Sequence, residues 1–321
     1  MRRREFIALF GGAAMWARPA HGQQSARARV GVLWPGSAYP APPRMPALTL
    51  ALRQLGFTEG NNLAIELRYR GGARQLSELA GELIGANVDV ILAFGDLAPR
   101  VVHEQTKTIP IVAVSDDILS TGLVESLSRP GGSTTGLTIM SPELSAKRLA
   151  VLREMAPGIS RVAVLWDPTT GASQVGATEK AAQSLNIDLQ VIEIANRDDL
   201  TDAFRKARAG GADGLNVLAS PSLSSLFREI IDLAAQNRLP AIYQWREHVD
   251  AGGLVSYGPS LTALWRQAGT IAVKVLKGVK PADLPIEQPT KFELAINART
   301  AKSLGIPMQP SLLVSADDVI E

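Results

Sequence analysis

With 321 residues, 46% of them hydrophobic and 20% charged, the chain has room for two domains with separate cores and lies outside the composition of disordered proteins. Its 33 basic and 31 acidic residues nearly balance, and no dense Lys/Arg patch with interleaved aromatics occurs, which argues against a nucleic-acid partner. Cysteine is absent, which removes disulfides, thiolate metal sites and lipid attachment at a cysteine.

The first residues read as an export peptide. Met1-Arg2-Arg3-Arg4 is a basic start, 6–16 is an apolar stretch, and Ala20-His21-Gly22 places small residues at the two positions that define cleavage. The apolar run is shorter than the roughly 20 residues of a membrane span. Arg3-Arg4-Glu5-Phe6 resembles a twin-arginine core, and an ordinary secretory signal with a basic start fits equally well. By either route 1–22 is removed, the mature chain begins near Gln23, and a Gram-negative periplasm is the expected compartment.

Strands and helices then alternate. A strand at 30–34 leads into a loop at 35–46, where Pro35, Pro40, Pro42, Pro43 and Pro46 forbid regular structure. The pattern predicts a helix over 47–55 stopped by Gly56, a strand at 63–69, a helix over 73–85, a strand at 89–94, a helix over 96–105, a strand at 110–114, a short helical turn at 119–127 and a strand at 136–140. A helix over 143–155 follows, with Ser141 as N-cap and Pro142 at its first position. Strands at 161–166, 188–194, 213–218, 241–243 and 253–257 then alternate with helices over 172–185, 198–208 and 222–237. A long helix at 261–277 carries Leu261, Leu264, Ala268, Ile271 and Val275 on one stripe. After a Pro-containing linker come a strand at 292–297 and a helix at 298–304.

The two halves echo each other. Val30-Gly31-Val32-Leu33-Trp34-Pro35 returns as Val162-Ala163-Val164-Leu165-Trp166-Asp167-Pro168, Asp89-Val90-Ile91-Leu92-Ala93 as Asp213-Gly214-Leu215-Asn216-Val217, and Thr108-Ile109-Pro110-Ile111-Val112 as Arg238-Leu239-Pro240-Ala241-Ile242. Continuous apolar strands separated by helices belong to parallel sheets covered on both faces, so each half is expected to form an α/β lobe, with a cleft between the two. The strand and helix left over at the end imply that the tail crosses back between the lobes, forming a hinge.

Ligands of open parallel sheets bind outside the carboxyl ends of the strands. The candidate ligand-binding residues are therefore Ser37, Gly95, Asp96, Ser115, Asp116 and Asp117 in the first lobe, and Thr169, Ser220, Ser222, Gln244 and Trp245 in the second. Short hydroxyls, carboxylates and helix N-termini suit a small polar solute. Asp96, Ser115 and Ser222 read equally as helix caps, and Trp245 as a hinge residue or an aromatic platform. Asp116-Asp117 repel one another unless a cation or donors oppose them. Gly-x-Gly-x-x-Gly at the first strands, Gly-x-x-x-x-Gly-Lys-Ser/Thr and Gly-x-Ser-x-Gly are all missing, and the three histidines are too isolated in sequence to form a ligand set by spacing. No catalytic residue, metal or cofactor is expected.

Long stretches of the chain resemble a known family. Ala241-Ile242-Tyr243-Gln244-Trp245-Arg246-Glu247, Ala251-Gly252-Gly253-Leu254-Val255-Ser256-Tyr257-Gly258-Pro259-Ser260, Ser128-Arg129-Pro130-Gly131-Gly132 and Leu284-Pro285-Ile286-Glu287-Gln288-Pro289 are similar to tryptophan/tyrosine-type substrate-binding proteins of ATP-binding-cassette (ABC) transporters. The resemblance implies a type I periplasmic-binding-protein fold of two Rossmann-like lobes joined by a hinge. It places the N-terminal lobe at 28–140 plus 259–282 and the C-terminal lobe at 141–258 plus 283–321. It also implies a monomeric receptor serving a separate permease and ATPase, with an amino acid or related solute closed between the lobes. The rival expectations are a sensory protein of the same fold feeding a membrane kinase or chemoreceptor, and an exported enzyme using Asp116 or Asp117 as base.

Overall fold

A computed structural model describes residues 27–36, 44–70 and 75–321, so the predicted export segment and Ser37 lie outside the described residues. β1 (Ala28–Trp34), α1 (Arg44–Gln54), β2 (Leu63–Tyr69), α2 (Leu76–Gly85), β3 (Val90–Phe94), α3 (Leu97–Gln105), β4 (Ile111–Ser115) and β5 (Thr134–Thr138) follow in order. Their strands form one wholly parallel sheet, ordered β2-β1-β3-β4-β5. β3 and β4 are buried along their whole length. A central parallel strand has helices on both faces and no solvent side, which is why these segments are unbroken apolar runs. On one face α2 and α3 pack through Leu79, Leu83 and Val102.

The second half comprises α4 (Ser141–Met155), β6 (Arg161–Trp166), a 3-10 turn at Pro168–Thr170, α5 (Ser173–Leu185), β7 (Asp188–Glu193), α6 (Asp199–Ala209), β8 (Gly214–Val217), α7 (Pro221–Ser225), α8 (Phe227–Gln236), β9 (Ala241–Tyr243), α9 (Arg246–Asp250) and β10 (Val255–Pro259). It ends with α10 (Leu261–Leu276), a 3-10 turn at Pro281–Asp283, β11 (Phe292–Asn297), α11 (Ala298–Leu304), α12 (Pro310–Ser315) and β12 (Asp318–Ile320). Its sheet is ordered β12-β11-β10-β9-β8-β6-β7, with β10–β11 the antiparallel pair.

α10 does not stay with the sheet that precedes it. Ala268, Ile271 and Ala272 enter the first sheet's core beside Leu48, Val32 and Leu92. The chain therefore passes between the two sheets at 139–140, at Ser260 and over 277–291. The last passage runs alongside β5, where Thr138 N–H donates to Glu287 O at 3.0 Å and Glu287 N–H donates to Gly136 O at 2.9 Å.

Several local expectations are corrected. The turn at 119–127 is not helical. There Thr121 Oγ1 donates to Ile118 O, Ser120 Oγ donates to Asp117 O and Gly122 takes a φ of 71°, so short side chains satisfy the backbone in place of a helical ladder. The helix predicted over 222–237 breaks at Leu226 into α7 and α8. Ser141 is the first residue of α4 and not its N-cap; Met140 takes that place in the left-handed region, and the Ser141 hydroxyl is spent on Asp116. α9, α12 and β12 had no counterpart in the pattern.

Two positions give direct tests of this packing. Gly136 has a φ of 141°, and a Cβ there would lie 1.9 Å from the carbonyl oxygen of Ala113. Gly136→Ala is expected to destabilise the protein by about 3 kcal/mol or more, read by denaturant unfolding; a loss under ~1 kcal/mol would refute the packing of β5 on β4. His248 is buried, stacks on Phe227 at 5.1 Å and meets Tyr243 edge-on at 5.5 Å, and neither ring nitrogen has a partner among the described residues. Burial, then Arg44 and Arg148, lowers its pKa from 6.5 to about 3. Below pH 6.5 the unfolded chain takes up a proton that the folded chain refuses, so this residue's contribution falls from pH 6.5 towards 3, by up to ~1.4 kcal/mol per pH unit. Thermal unfolding should show a shallower acid limb for His248→Phe than for wild type, and parallel limbs would remove His248 as the cause.

Candidate functional site

The carboxyl ends of β1, β3 and β4 face those of β8 and β9 across a small cavity. Its floor is aromatic. Trp34 and Phe94 are the last residues of β1 and β3, and Trp265 comes from the first turns of α10. The Phe94 and Trp265 rings stack at 3.9 Å and 14°, and Trp34 packs on them at 6.0 and 5.9 Å. Trp245 and Pro221 close the other side from the second lobe. The cavity measures about 40 Å³, room for a few waters, so an amino acid enters only if the lobes or the rings move apart.

Two ionisable groups, one basic and one acidic, share this apolar wall. Arg44, which opens α1, is buried, lies 5.0 Å over the Trp34 ring and donates from Nη2 to Ser224 Oγ in the opposite lobe at 2.6 Å. Burial lowers its pKa to about 10, against the raising effect of Glu247, so it stays cationic at neutral pH. Glu247 is itself pushed up, mainly by burial, and its Oε2 has no partner among the described residues. The other group is Asp116, whose Oδ1 accepts from Ser141 Oγ at 2.9 Å and whose carbonyl accepts from Ser141 N–H at 3.0 Å. Its pKa is raised well above the usual carboxylate value by burial and then by Asp96; the Ser141 hydrogen bond and Arg148 oppose the rise.

Asp96 lies directly behind. Its Oδ1 accepts from Ser115 Oγ, from Asp116 N–H at 2.9 Å and from Asp117 N–H at 3.4 Å, while Oδ2 is buried without a partner among the described residues. Burial raises its pKa, and these three donors pull the other way. Arg148 of α4 is wholly buried; Nε donates to Tyr257 O at 2.8 Å, and neither Nη1 nor Nη2 bonds to a described residue.

The expected residues thus separate. Gly95, Asp116, Ser220 and Trp245 line the cavity, and Asp96 and Ser115 support Asp116 from behind. Gly95 has a φ of 75°, and a Cβ there would lie 2.7 Å from Pro221 of the other lobe. Ser220 donates to Asp167 Oδ2 at 2.6 Å while accepting from Ser222 and Leu223 N–H, which makes it the cap of α7. Other candidates are occupied away from the cavity: Asp117 accepts from Ser120 N–H, exposed Thr169 is held by Asp167, and Ser222 contributes its amide to the cap. Gln244 is buried off the wall, with Nε2 unpartnered among the described residues. Arg44, Ser224, Trp34, Phe94 and Trp265 were missed. Trp34 and Phe94 carried a signal, as strand-terminal residues, and Arg44 was the lone charge of the Pro-rich loop.

Comparison with known proteins identifies this architecture. A family model described as ABC transporter substrate binding protein matches residues 46–320. The tyrosine-binding protein of Clostridioides difficile (strain R20291) is 26% identical over 275 residues, 84% of this chain and 77% of that protein. A conserved domain protein from Vibrio cholerae superposes with a TM-score of 0.83 at 24% identity, covering 91% of this chain and 99% of that one. The ABC domain of Streptococcus pneumoniae in complex with L-Trp gives 0.81 at 21% identity, over 92% and 100%. The fold is therefore that of a type I periplasmic binding protein, as the sequence resemblance implied. With the family model spanning most of its length, the chain belongs to the ABC transporter substrate binding proteins.

Proposed function

We propose that the protein is an exported receptor that captures an amino acid with an aromatic or large apolar side chain and presents it to an ABC permease and ATPase. The observation that carries this reading is one cavity combining a buried guanidinium, a buried carboxylate and stacked aromatic rings. Arg44 suits the ligand carboxylate, Asp116 its ammonium, and Trp34, Phe94, Trp245 and Trp265 its side chain. The relatives named for tyrosine and bound to L-Trp support the same class. Binding and release, without bond-breaking chemistry, is the whole activity proposed. The proposed lobes are 28–140 with 259–282 and 141–258 with 283–321, hinged at the three passages, and 1–22 is removed on export.

A thermal-shift screen of residues 23–321 against the common amino acids tests the reading. L-Tyrosine, L-tryptophan or L-phenylalanine at 100 times its dissociation constant should stabilise the fold by about 2.7 kcal/mol. Asp116→Ala and Arg44→Gln should each weaken the best ligand by roughly 2–5 kcal/mol in calorimetry, because each leaves a charge on the ligand buried and unpaired. Wild-type affinity in both variants would remove the pair from the site. Mass spectrometry of the exported protein should find an N-terminus at or near Gln23, and an intact Met1 would refute cleavage at 22–23.

A further inference from the structure

The carboxylates of Asp96 and Asp116 are arranged in a way that binding alone does not explain. Both side chains are nine-tenths or more buried, and they are linked through the Asp116 amide, which donates to Asp96 Oδ1. Every donor that reaches them is neutral: the Ser115 and Ser141 hydroxyls and the amides of Asp116 and Asp117. Among the described residues no cation makes a hydrogen bond or ion pair with either carboxylate. Arg148, on α4, acts on Asp116 only through space: its Nε donates to Tyr257 O, and its Nη1 and Nη2 bond to no described residue. The remaining charged groups around the pair are Asp117, which acts on Asp96, Asp167 from the β6 end, which acts on Asp116, and, across the cavity, Arg44, which is engaged by Ser224. Burial is the largest effect on both carboxylates; Asp117 and Asp167 add to it, and the Arg148 guanidinium opposes it at Asp116.

Two neighbouring buried carboxylates without a bonded cation do not both ionise, because each charge costs desolvation and repels the other. They behave as a pair that titrates together. The unpartnered Asp96 Oδ2 and the cavity-facing Asp116 are where such a pair has acceptor capacity to spare. Resting on the reading that the ligand brings an ammonium group to Asp116, we propose that the Asp96–Asp116 pair holds one proton when no ammonium is bound and releases it to solvent when the ligand binds.

The consequence is a pH-dependent receptor. Burial raises both groups, with Asp96 adding to the rise of Asp116 and Asp117 to that of Asp96, so the protonated form persists to a pH above the ordinary carboxylate range. Below the apparent pKa of the ligand-free pair, one proton leaves per ligand bound, and affinity rises up to tenfold per pH unit; above it, release stops and affinity levels off. Acidification therefore expels the ligand.

Calorimetry of the mature protein with L-tryptophan and L-tyrosine, run at pH 5.5, 6.5 and 7.5 in buffers of different ionisation enthalpy, reads the protons released. The expected result is a release approaching about one proton per ligand at the lowest pH and declining as pH rises, while indole-3-propionate, which has the ring and the carboxylate but no ammonium, releases none. Asp96→Asn keeps an acceptor oxygen for Ser115 and the two amides but removes the second charge, so its release should fall and its affinity should depend less on pH. Binding with no release at any of the three pH values would overturn the proton exchange and leave the amino-acid reading standing. Release unchanged in Asp96→Asn would take the proton away from this pair. Failure of both amino acids to bind would overturn both readings.

Discussion

Asp116 and Ser141 are joined twice, carbonyl to amide and carboxylate to hydroxyl, at the point where the chain first leaves one sheet for the other. That junction constrains everything around it. The N-cap of α4 is a left-handed Met140, whose side chain makes no cap hydrogen bond, and the hydroxyl of the first helical residue, Ser141, goes to Asp116. Because Asp116 is anchored on the passage itself, one wall of the cavity and the first hinge strand form a single unit. Arg148, further along α4, extends the unit towards the second passage by holding Tyr257 O in the middle of β10. The cavity wall and the first passage between the sheets therefore share atoms.

Contact between the two halves across the cavity rests on a different set of residues. Arg44 reaches across to Ser224, Gly95 lies against Pro221, and a Cβ at Gly36 would collide with Ser225 at 2.3 Å. All three meet α7 and the residue before its first serine, so the loop between β8 and α8 is the surface on which the first lobe lands. The break at Leu226 that splits the predicted long helix creates this short, separate landing element. A continuous helix from 222 would offer one N-terminus and no such corner.

Much of this was legible in the sequence, for identifiable reasons. Val90-Ile91-Leu92-Ala93-Phe94 and Ile111-Val112-Ala113-Val114 are buried on both faces and so carry no polar residue, which made them readable as central parallel strands. The strand-end rule then located Gly95, Asp116, Ser220 and Trp245 at the cavity without any structure. What was not legible depends on tertiary context. Trp265 belongs to α10, which follows the second sheet in sequence but packs on the first, and no periodicity reports which lobe a helix visits. Arg44 lay in a segment whose prolines suggested loop, yet it begins a helix. The choice between capping and ligand contact for Ser222, Asp117 and Thr169 turned on one or two hydrogen bonds between neighbours, and local composition is the same in both cases.

The third passage also does something unrelated to hinging. β5 is the outermost strand of the first sheet, and such a margin offers a row of open amides and carbonyls to any extended peptide. By pairing Glu287 with Gly136 and Thr138, the returning chain occupies that margin at its middle, and Ile286 N–H donates to Leu127 O close by. The connector is in effect a short guard rail. A sheet margin covered in this way is less open to self-association, and the covering segment is one whose length the topology already required.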